Sequence, residues 1–463
     1  MNEDDPTSFL IKKSNSLHSK TFSFDEINTI SRLGSEFSSE SIESKSEDDN
    51  LAHTFFRQVS HGSVMSSVFC MICVTLGTGM FPIPHLFVSN GLILTLILFL
   101  FFSIPTYKTL QILIKISRKN KIYNFPELVS KYFGNDSFMT KLTIVSLLIN
   151  SFGCIILWNF YINKFSIGVL SYFNEDYATN LNGNYICIAI LLFLQIPLAI
   201  YNKGNEFDIM ATIGVLQILY VLIVLIIEFP SYFSEYFDKA VFFQKETYFN
   251  FNIFKMMEIP FVLFTSFGNH STILSVVQEI DKKTEKRVLK VGKYTFFGEF
   301  YIYIYLVLIC FFSTYSRTKD NEIFLIRPEI TFLMSLGQFF MVVLMVCNIS
   351  LYYFTTLPTL QYLFNNNKEF NNKQNITSAI LMLLILTFIS FFLSDLDKIL
   401  TFLGIFAQVS LLFIIPMNLY LKVKDDKIKQ NKKIMIYIGI YFYSLLGIAG
   451  FFFMIFNKSQ ENQ

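Results

Sequence analysis

Charge is scarce in this chain. Asp, Glu, Lys and Arg make up only 16% of its 463 residues, against about a quarter in an ordinary soluble domain. A soluble globule needs that charge on its surface, so the composition argues against a globular enzyme. The net charge is +2, and no basic stripe interleaved with aromatics appears, so nothing favours a nucleic-acid partner. Histidine numbers only five and cysteine six. Cys70 and Cys73 have the spacing of a redox or zinc pair, but no second pair or nearby His completes a site. Cys70, Cys73, Cys154, Cys187, Cys310 and Cys347 all fall in or beside apolar segments, where free cysteine behaves as a small hydrophobe. No metal, other cofactor or disulfide framework is expected. A charged-then-apolar leader is also missing at Met1, so the first apolar span is expected to act as its own insertion signal.

What the chain has instead is apolar length. It is 53% hydrophobic and 17% aromatic, with a mean hydropathy of +0.47. Residues 1–60 stand apart: Ser-rich, mixed in charge and without helical apolar periodicity, which reads as a disordered cytosolic tail. Serines 39–46 there are candidates for phosphorylation. From Ser63 on, apolar runs recur at about 63–88, 91–114, 138–161, 184–201, 206–228, 252–278, 290–313, 329–354, 377–394, 398–421 and 433–456. Each is close to the roughly 20 residues that cross a bilayer. The expectation is an all-α membrane protein with eleven transmembrane helices, a membrane domain over 61–457 and a short C-terminal tail at 458–463. With the N-terminus inside, the inner loops carry twenty-one Lys and Arg and the outer side nine. That bias predicts a cytosolic N-terminus and, after an odd number of spans, a C-terminus on the extracellular or lumenal side.

Two spans are interrupted. Gly77-Thr78-Gly79-Met80-Phe81-Pro82-Ile83-Pro84 lies inside the first, and Gly and Pro both disfavour a helix interior. Thr265-Ser266-Phe267-Gly268-Asn269-His270-Ser271-Thr272 brings a glycine and a polar run to the middle of the sixth. Five spans begin at each break, and an odd number per repeat forces opposite orientations. This predicts a five-plus-five inverted repeat with discontinuous helices 1 and 6, an arrangement in which transporters hold substrate. Two ionisable residues lie at membrane depth, His270 at the second break and Glu299 in the seventh span. Both are candidates for proton coupling; a structural hydrogen bond for His270 and a polar pairing for Glu299 are the competing readings.

Four stretches carry a family resemblance. Gly77-Thr78-Gly79, Pro84 and Asn90-Gly91 resemble the first helix of the amino acid/auxin permease family, with Leu86 where that pattern has Ala. Phe267, His270, Ile273-Leu274 and Glu279-Ile280 sit in register with its sixth helix, while its Cys and two Pro are Asn269, Ser271 and Ser275 here. Leu403-Gly404-Ile405-Phe406 with Phe413-Ile414-Ile415-Pro416, and Tyr123 to Gly134 between spans two and three, resemble two further motifs. The resemblance implies a fold like the amino acid–polyamine–organocation transporters and alternating-access transport of amino acids, neutral ones expected. It also implies a substrate site at Gly77, Thr78, Gly79, Met80, Ser266, Phe267, Gly268, Asn269 and Phe406. N–H groups near Gly79–Phe81 would face the substrate carboxylate and carbonyls near Ser266–Gly268 its ammonium.

The coupling ion is H+ or Na+. The family's sodium-coupled branch carries a Thr seven positions before a Pro in span eight, and that position is Leu351 here. The His found in some proton-coupled members is replaced by Cys70. The partners expected are an amino acid and the lipid bilayer, in the plasma membrane or an acidic organelle. A membrane amino acid sensor signalling through the N-terminal tail is the alternative, and a membrane transferase using His270 with Asn269 a third reading.

Overall fold

The structure is a computed structural model that describes residues 62–173, 183–201, 206–237, 242–313, 331–365, 368–392, 396–424 and 428–461. The tail expected over 1–60 and its serines lie outside them. Every regular element among the described residues is helical. In chain order these are α1 (Val64–Gly79), α2 (Pro82–Asn90), α3 (Leu92–Asn120), α4 (Phe125–Phe133) and α5 (Phe138–Phe173). There follow α6 (Gly183–Ile190), a π-helical turn at Leu191–Gln195, α7 (Ile196–Tyr201), α8 (Glu206–Tyr236) and the single turn α9 (Lys245–Tyr248). Next come α10 (Ile253–Ser266), a 3-10 turn at Asn269–Ser271, α11 (Ile273–Gln278), α12 (Glu285–Ser313), α13 (Phe332–Phe364) and α14 (Asn372–Ser390). The chain closes with α15 (Leu396–Leu403), a long π-helical segment Gly404–Ile414, α16 (Ile415–Lys424) and α17 (Gln430–Glu461).

Among the described residues eight helices are long and apolar enough to cross a membrane, or nine if the bent pair α1–α2 is one span. Two further expected spans coincide with shorter pieces, the fourth with α6 to α7 and the sixth with α10 to α11. The expected C-terminal tail is helical as far as Glu461.

Polar caps mark several ends. Ser63 accepts from the Ser66 N–H at 3.0 Å to open α1, and Thr331 accepts from Met334 at 3.1 Å to open α13. Each supplies an acceptor to a first-turn N–H that has no intrahelical partner. α4 appears where the sequence suggested only a connecting loop. Asn124 caps it through the Glu127 N–H at 3.3 Å, Pro126 sits in its first turn, and Gly134 (φ 92°) ends it, the expected start and stop chemistry.

The helices sort their faces against lipid. On α3, Ile97, Phe101 and Ile104 are each more than half exposed, while Phe99, Phe102, Thr106, Leu110 and Leu113 are buried. That i, i+4, i+7 spacing of exposed apolar side chains makes a stripe suited to hydrocarbon rather than water. α17 is the most peripheral span, whereas the span over Lys398–Lys424 is mostly enclosed. α5 packs along α13, α1 lies between α8 and α12, and α10 packs on the π-helical segment.

That last contact is close. A methyl group added at Gly404 would meet the backbone of Phe261, with Cβ–Cβ at 2.6 Å and Cβ–C at 2.7 Å. Backbone cannot swing aside as a side chain can, so overpacking here should cost about 1–3 kcal/mol. Gly447, whose added methyl would meet Val409 at an ordinary 3.4 Å, serves as a control. Thermal unfolding in detergent should show a clearly lowered midpoint for Gly404→Ala and a shift within about 0.5 kcal/mol for Gly447→Ala. Equal midpoints would contradict this packing.

Candidate functional site

The first break is a kink. Pro82 and Pro84 carry no N–H, so the carbonyls of Thr78 and Met80 lose the donors that an unbroken helix would supply. The helix axis turns by 52°, yet Met80 (φ −61°, ψ −36°) and Phe81 (φ −85°, ψ −44°) keep helical dihedrals. The Met80 N–H still reaches Leu76 O at 3.0 Å. The expected row of N–H donors for a carboxylate is therefore only partly present. α2 opens Pro-Ile-Pro, so of its first three positions only Ile83 can donate, and what the break frees is mainly carbonyl. The Thr78 side chain lies outside the described residues.

The second break is wider. α10 stops at Ser266, Gly268 departs from the helix (φ −70°, ψ 40°), and the 3-10 turn Asn269–Ser271 precedes α11. Side-chain chemistry closes it: Tyr303 Oη on α12 donates to the Ser266 carbonyl at 2.9 Å.

The two breaks touch. A methyl group on Gly79 would lie 2.9 Å from Ser266 Cα and 2.6 Å from its Cβ, and would also meet Tyr303 Oη. Only a residue without Cβ allows that approach. The other two glycines of the proposed site face side chains from elsewhere. A methyl group on Gly77 would meet Asn348 Nδ2 at 2.6 Å and Trp158 Nε1 at 3.0 Å, and one on Gly268 would meet the Gln408 amide.

Several buried polar atoms converge here without a hydrogen-bond partner among the described residues. These are Trp158 Nε1, Asn348 Oδ1, Asn269 Oδ1 and Gln408 Oε1. Their other atoms are held in place. Asn348 Nδ2 donates to Cys73 O at 2.9 Å, Gln408 Nε2 to Asn150 Oδ1 at 2.6 Å, and Asn150 Nδ2 to Ser271 Oγ at 3.0 Å. Buried polar atoms are normally paired, so one indole donor and three amide acceptors around two helix breaks are suited to a ligand bearing both an anion and a cation.

Glu299 joins the two breaks. Its carboxylate is fully buried and accepts from Asn269 Nδ2 at 3.1 and 2.9 Å. It is also hydrogen-bonded to Thr75 Oγ1 of α1. One carboxyl on α12 therefore grips a residue before the first break and a residue within the second. Among the described residues no cation lies within ion-pair distance of it.

His270 turns to a different neighbour. Its Nε2 is 3.1 Å from Thr109 Oγ1 on α3, and its Nδ1 has no partner among the described residues. Met80 and Phe267 are buried. The Phe267 ring packs on Phe296 at 5.4 Å and Tyr303 at 5.3 Å. Phe406 lies away from the breaks, its ring 4.6 Å from Phe402 and 5.8 Å from Phe451 on α17. Gln408, two residues on, is the one that reaches Gly268.

Thr75, Trp158 and Tyr303 were not among the residues the sequence singled out. Trp158 had a usable signal, being the chain's sole tryptophan in mid-span, where an indole N–H needs an acceptor. Tyr303 had none, as one of 24 tyrosines.

The model of the family described as transmembrane amino acid transporter protein matches residues 60–456. The sodium-coupled neutral amino acid symporter 2 of Danio rerio is 22% identical over 403 residues, covering 80% of this chain and 77% of the relative. The putative amino acid transporter AAT1 of Plasmodium berghei is 24% identical over 311 residues, 67% of this chain but 49% of its own length. This chain thus spans about half of that relative. Among solved structures, MhsT in complex with L-phenylalanine superposes with a TM-score of 0.57 at 11% identity, covering 84% of this chain and 98% of MhsT. A mutant of the Eremococcus coleocola manganese transporter gives 0.52 at 11% identity, covering 89% and 90%. These relatives and fold neighbours are transporters rather than enzymes. With the family model running through both breaks and nearly the whole membrane region, the chain belongs to the transmembrane amino acid transporter protein family.

Proposed function

We propose that this chain is a secondary active transporter that moves neutral amino acids across a membrane by alternating access. In this reading eleven spans form a five-plus-five inverted repeat plus α17, with α1–α2 and α10–α11 as the two discontinuous spans. The observation that carries it is the meeting of the breaks at Gly79 and Ser266, ringed by the partnerless polar atoms of Trp158, Asn348, Asn269 and Gln408. A zwitterion supplies a carboxylate for the indole N–H and an ammonium for the amide oxygens and freed carbonyls. The neutral class is supported by the named substrate of the Danio rerio relative. The charged-residue bias of the loops supports a cytosolic N-terminus.

Glu299 is the coupling group in this proposal. Charge at membrane depth is costly, and this carboxyl is held by hydrogen bonds alone. Gaining or losing a proton changes how many hydrogen bonds it accepts from Thr75 and Asn269, and so biases both breaks together. Leu351, at the position of the sodium-branch Thr, is apolar and buried, which favours the proton over sodium.

Purified protein in liposomes should accumulate radiolabelled neutral amino acid under an imposed proton gradient without sodium. Glu299→Gln should abolish that accumulation while retaining exchange of substrate for substrate, because the amide preserves the shape and part of the hydrogen bonding. Accumulation that follows only a sodium gradient, or that survives Glu299→Gln, would contradict the coupling assignment. Binding without flux would favour the sensor reading. Asn348→Ala should raise the KM for uptake about tenfold, the scale of a hydrogen bond to a charged group; an unchanged KM would remove Asn348 from the site.

A further inference from the structure

Away from the breaks, a cluster of positive charge lies where α3 and α11 end on the same face of the bundle. Arg118, Lys119, Lys121, Tyr123, Gln278 and Lys283 line an open cleft of about 690 Å3 there. That is the size range of small-molecule sites. Arg118 builds the cleft: its Nη1 is 3.3 Å from Glu285 Oε2, and its Nε donates to Lys283 O at 3.3 Å. These bonds pin the 283–285 loop against the end of α3. The Lys283 ammonium lies over the Tyr123 ring at 5.8 Å.

The acids of this region point elsewhere. Glu285 is taken by Arg118, Asp281 abuts Gly62, and Glu279 lines a separate pocket with Cys70 and Thr272. Among the described residues no carboxylate lies within ion-pair distance of Lys119, Lys121 or Lys283.

The backbone adds an independent mark. Lys121 (φ 55°) and Lys282 (φ 43°) are the only non-glycine residues with positive φ among those described; Lys121 lines this cleft, and Lys282 directly precedes Lys283, which also lines it. The left-handed region costs a residue with Cβ about 1 kcal/mol, and glycine or asparagine is the usual choice where a helix ends this way. Lys121 caps α3 through its N–H to Arg118 O and Ser117 O. Glycine would make the same bonds without strain. A cation near a helix C-terminus gains a little from the dipole, but that does not gather three lysines, a tyrosine and a glutamine around one space.

We propose that this cleft binds a phosphorylated anion, the phosphomonoester-bearing headgroup of an anionic lipid. Ammonium groups serve as point charges for phosphate, while Tyr123 and Gln278 offer hydrogen bonds to headgroup hydroxyls. The ends of spanning helices are the level at which a bilayer presents such groups. A headgroup there would bridge the end of α3 to the loop after the second broken span. The proposal does not depend on which substrate the centre carries.

The test is binding of a short-chain phosphatidylinositol bisphosphate to the purified full chain in detergent. Saturable binding is expected, weakened about fivefold for each lysine removed in Lys119→Gln, Lys121→Gln and Lys283→Gln and their combination. Lys121→Gly separates this from folding, since it should hold or raise the thermal midpoint while weakening the lipid. Absence of binding, or a triple variant that binds like the parent, overturns the proposal. Equal binding of short-chain phosphatidylserine overturns it in favour of unspecific surface charge. Equal binding of free inositol trisphosphate overturns the lipid assignment in favour of a soluble anion.

Discussion

The architecture turns on one close approach: α1, ending at Gly79, resting on the backbone of α10 at Ser266. A helix can press on another at that distance only where one side lacks a Cβ, and here the contact falls where both helices stop. The kink comes from Pro82 and Pro84, and the wider gap from Gly268 and the polar run after it. Tyr303 bonds to the Ser266 carbonyl and touches Gly79 as well, so α12 reads the position of both breaks. Everything else at the centre is arranged around this crossing: Trp158 and Asn348 on the Gly77 side, Gln408 and Asn150 on the Gly268 side.

The buried carboxyl of Glu299 adds a second tie between the same pieces. A charge enclosed without a cation is expensive, and removing a partner from such a group costs several kcal/mol. The protein spreads that demand over Thr75 from one broken span and Asn269 from the other. In the proposed coupling, a proton on this one group would bear on the geometry of both. His270, turned to Thr109 on α3, contributes to holding the second break on the bundle wall.

Much of this was legible in the sequence, because membrane spans and helix breaks are written in local chemistry. Apolar length marked the spans, Gly and Pro together marked the first interruption, and a glycine followed by a polar run marked the second. What the local pattern could not show was which distant side chains meet the glycines. Trp158 and Tyr303 come from spans far along the chain, and only packing brings them there. The Pro-Ile-Pro start of α2 was visible, but its consequence, carbonyls freed where N–H groups were expected, needed the position of the kink. Phe406 was chosen by its place in a motif. The eleven residues Gly404–Ile414 wind as π-helix, whose wider turn shifts the faces relative to an α-helix. Gln408 thereby reaches Gly268 while Phe406 turns toward α17.

The chain's single tryptophan offers a direct probe of the centre, since Trp158 is fully buried beside Gly77 and its emission reports that spot alone. Titrating the purified protein with a non-aromatic neutral amino acid should produce a saturable change in tryptophan fluorescence, at concentrations that match those saturating uptake. A substrate that is transported yet leaves the emission of Trp158 unaltered would contradict the claim that the two breaks enclose the binding site.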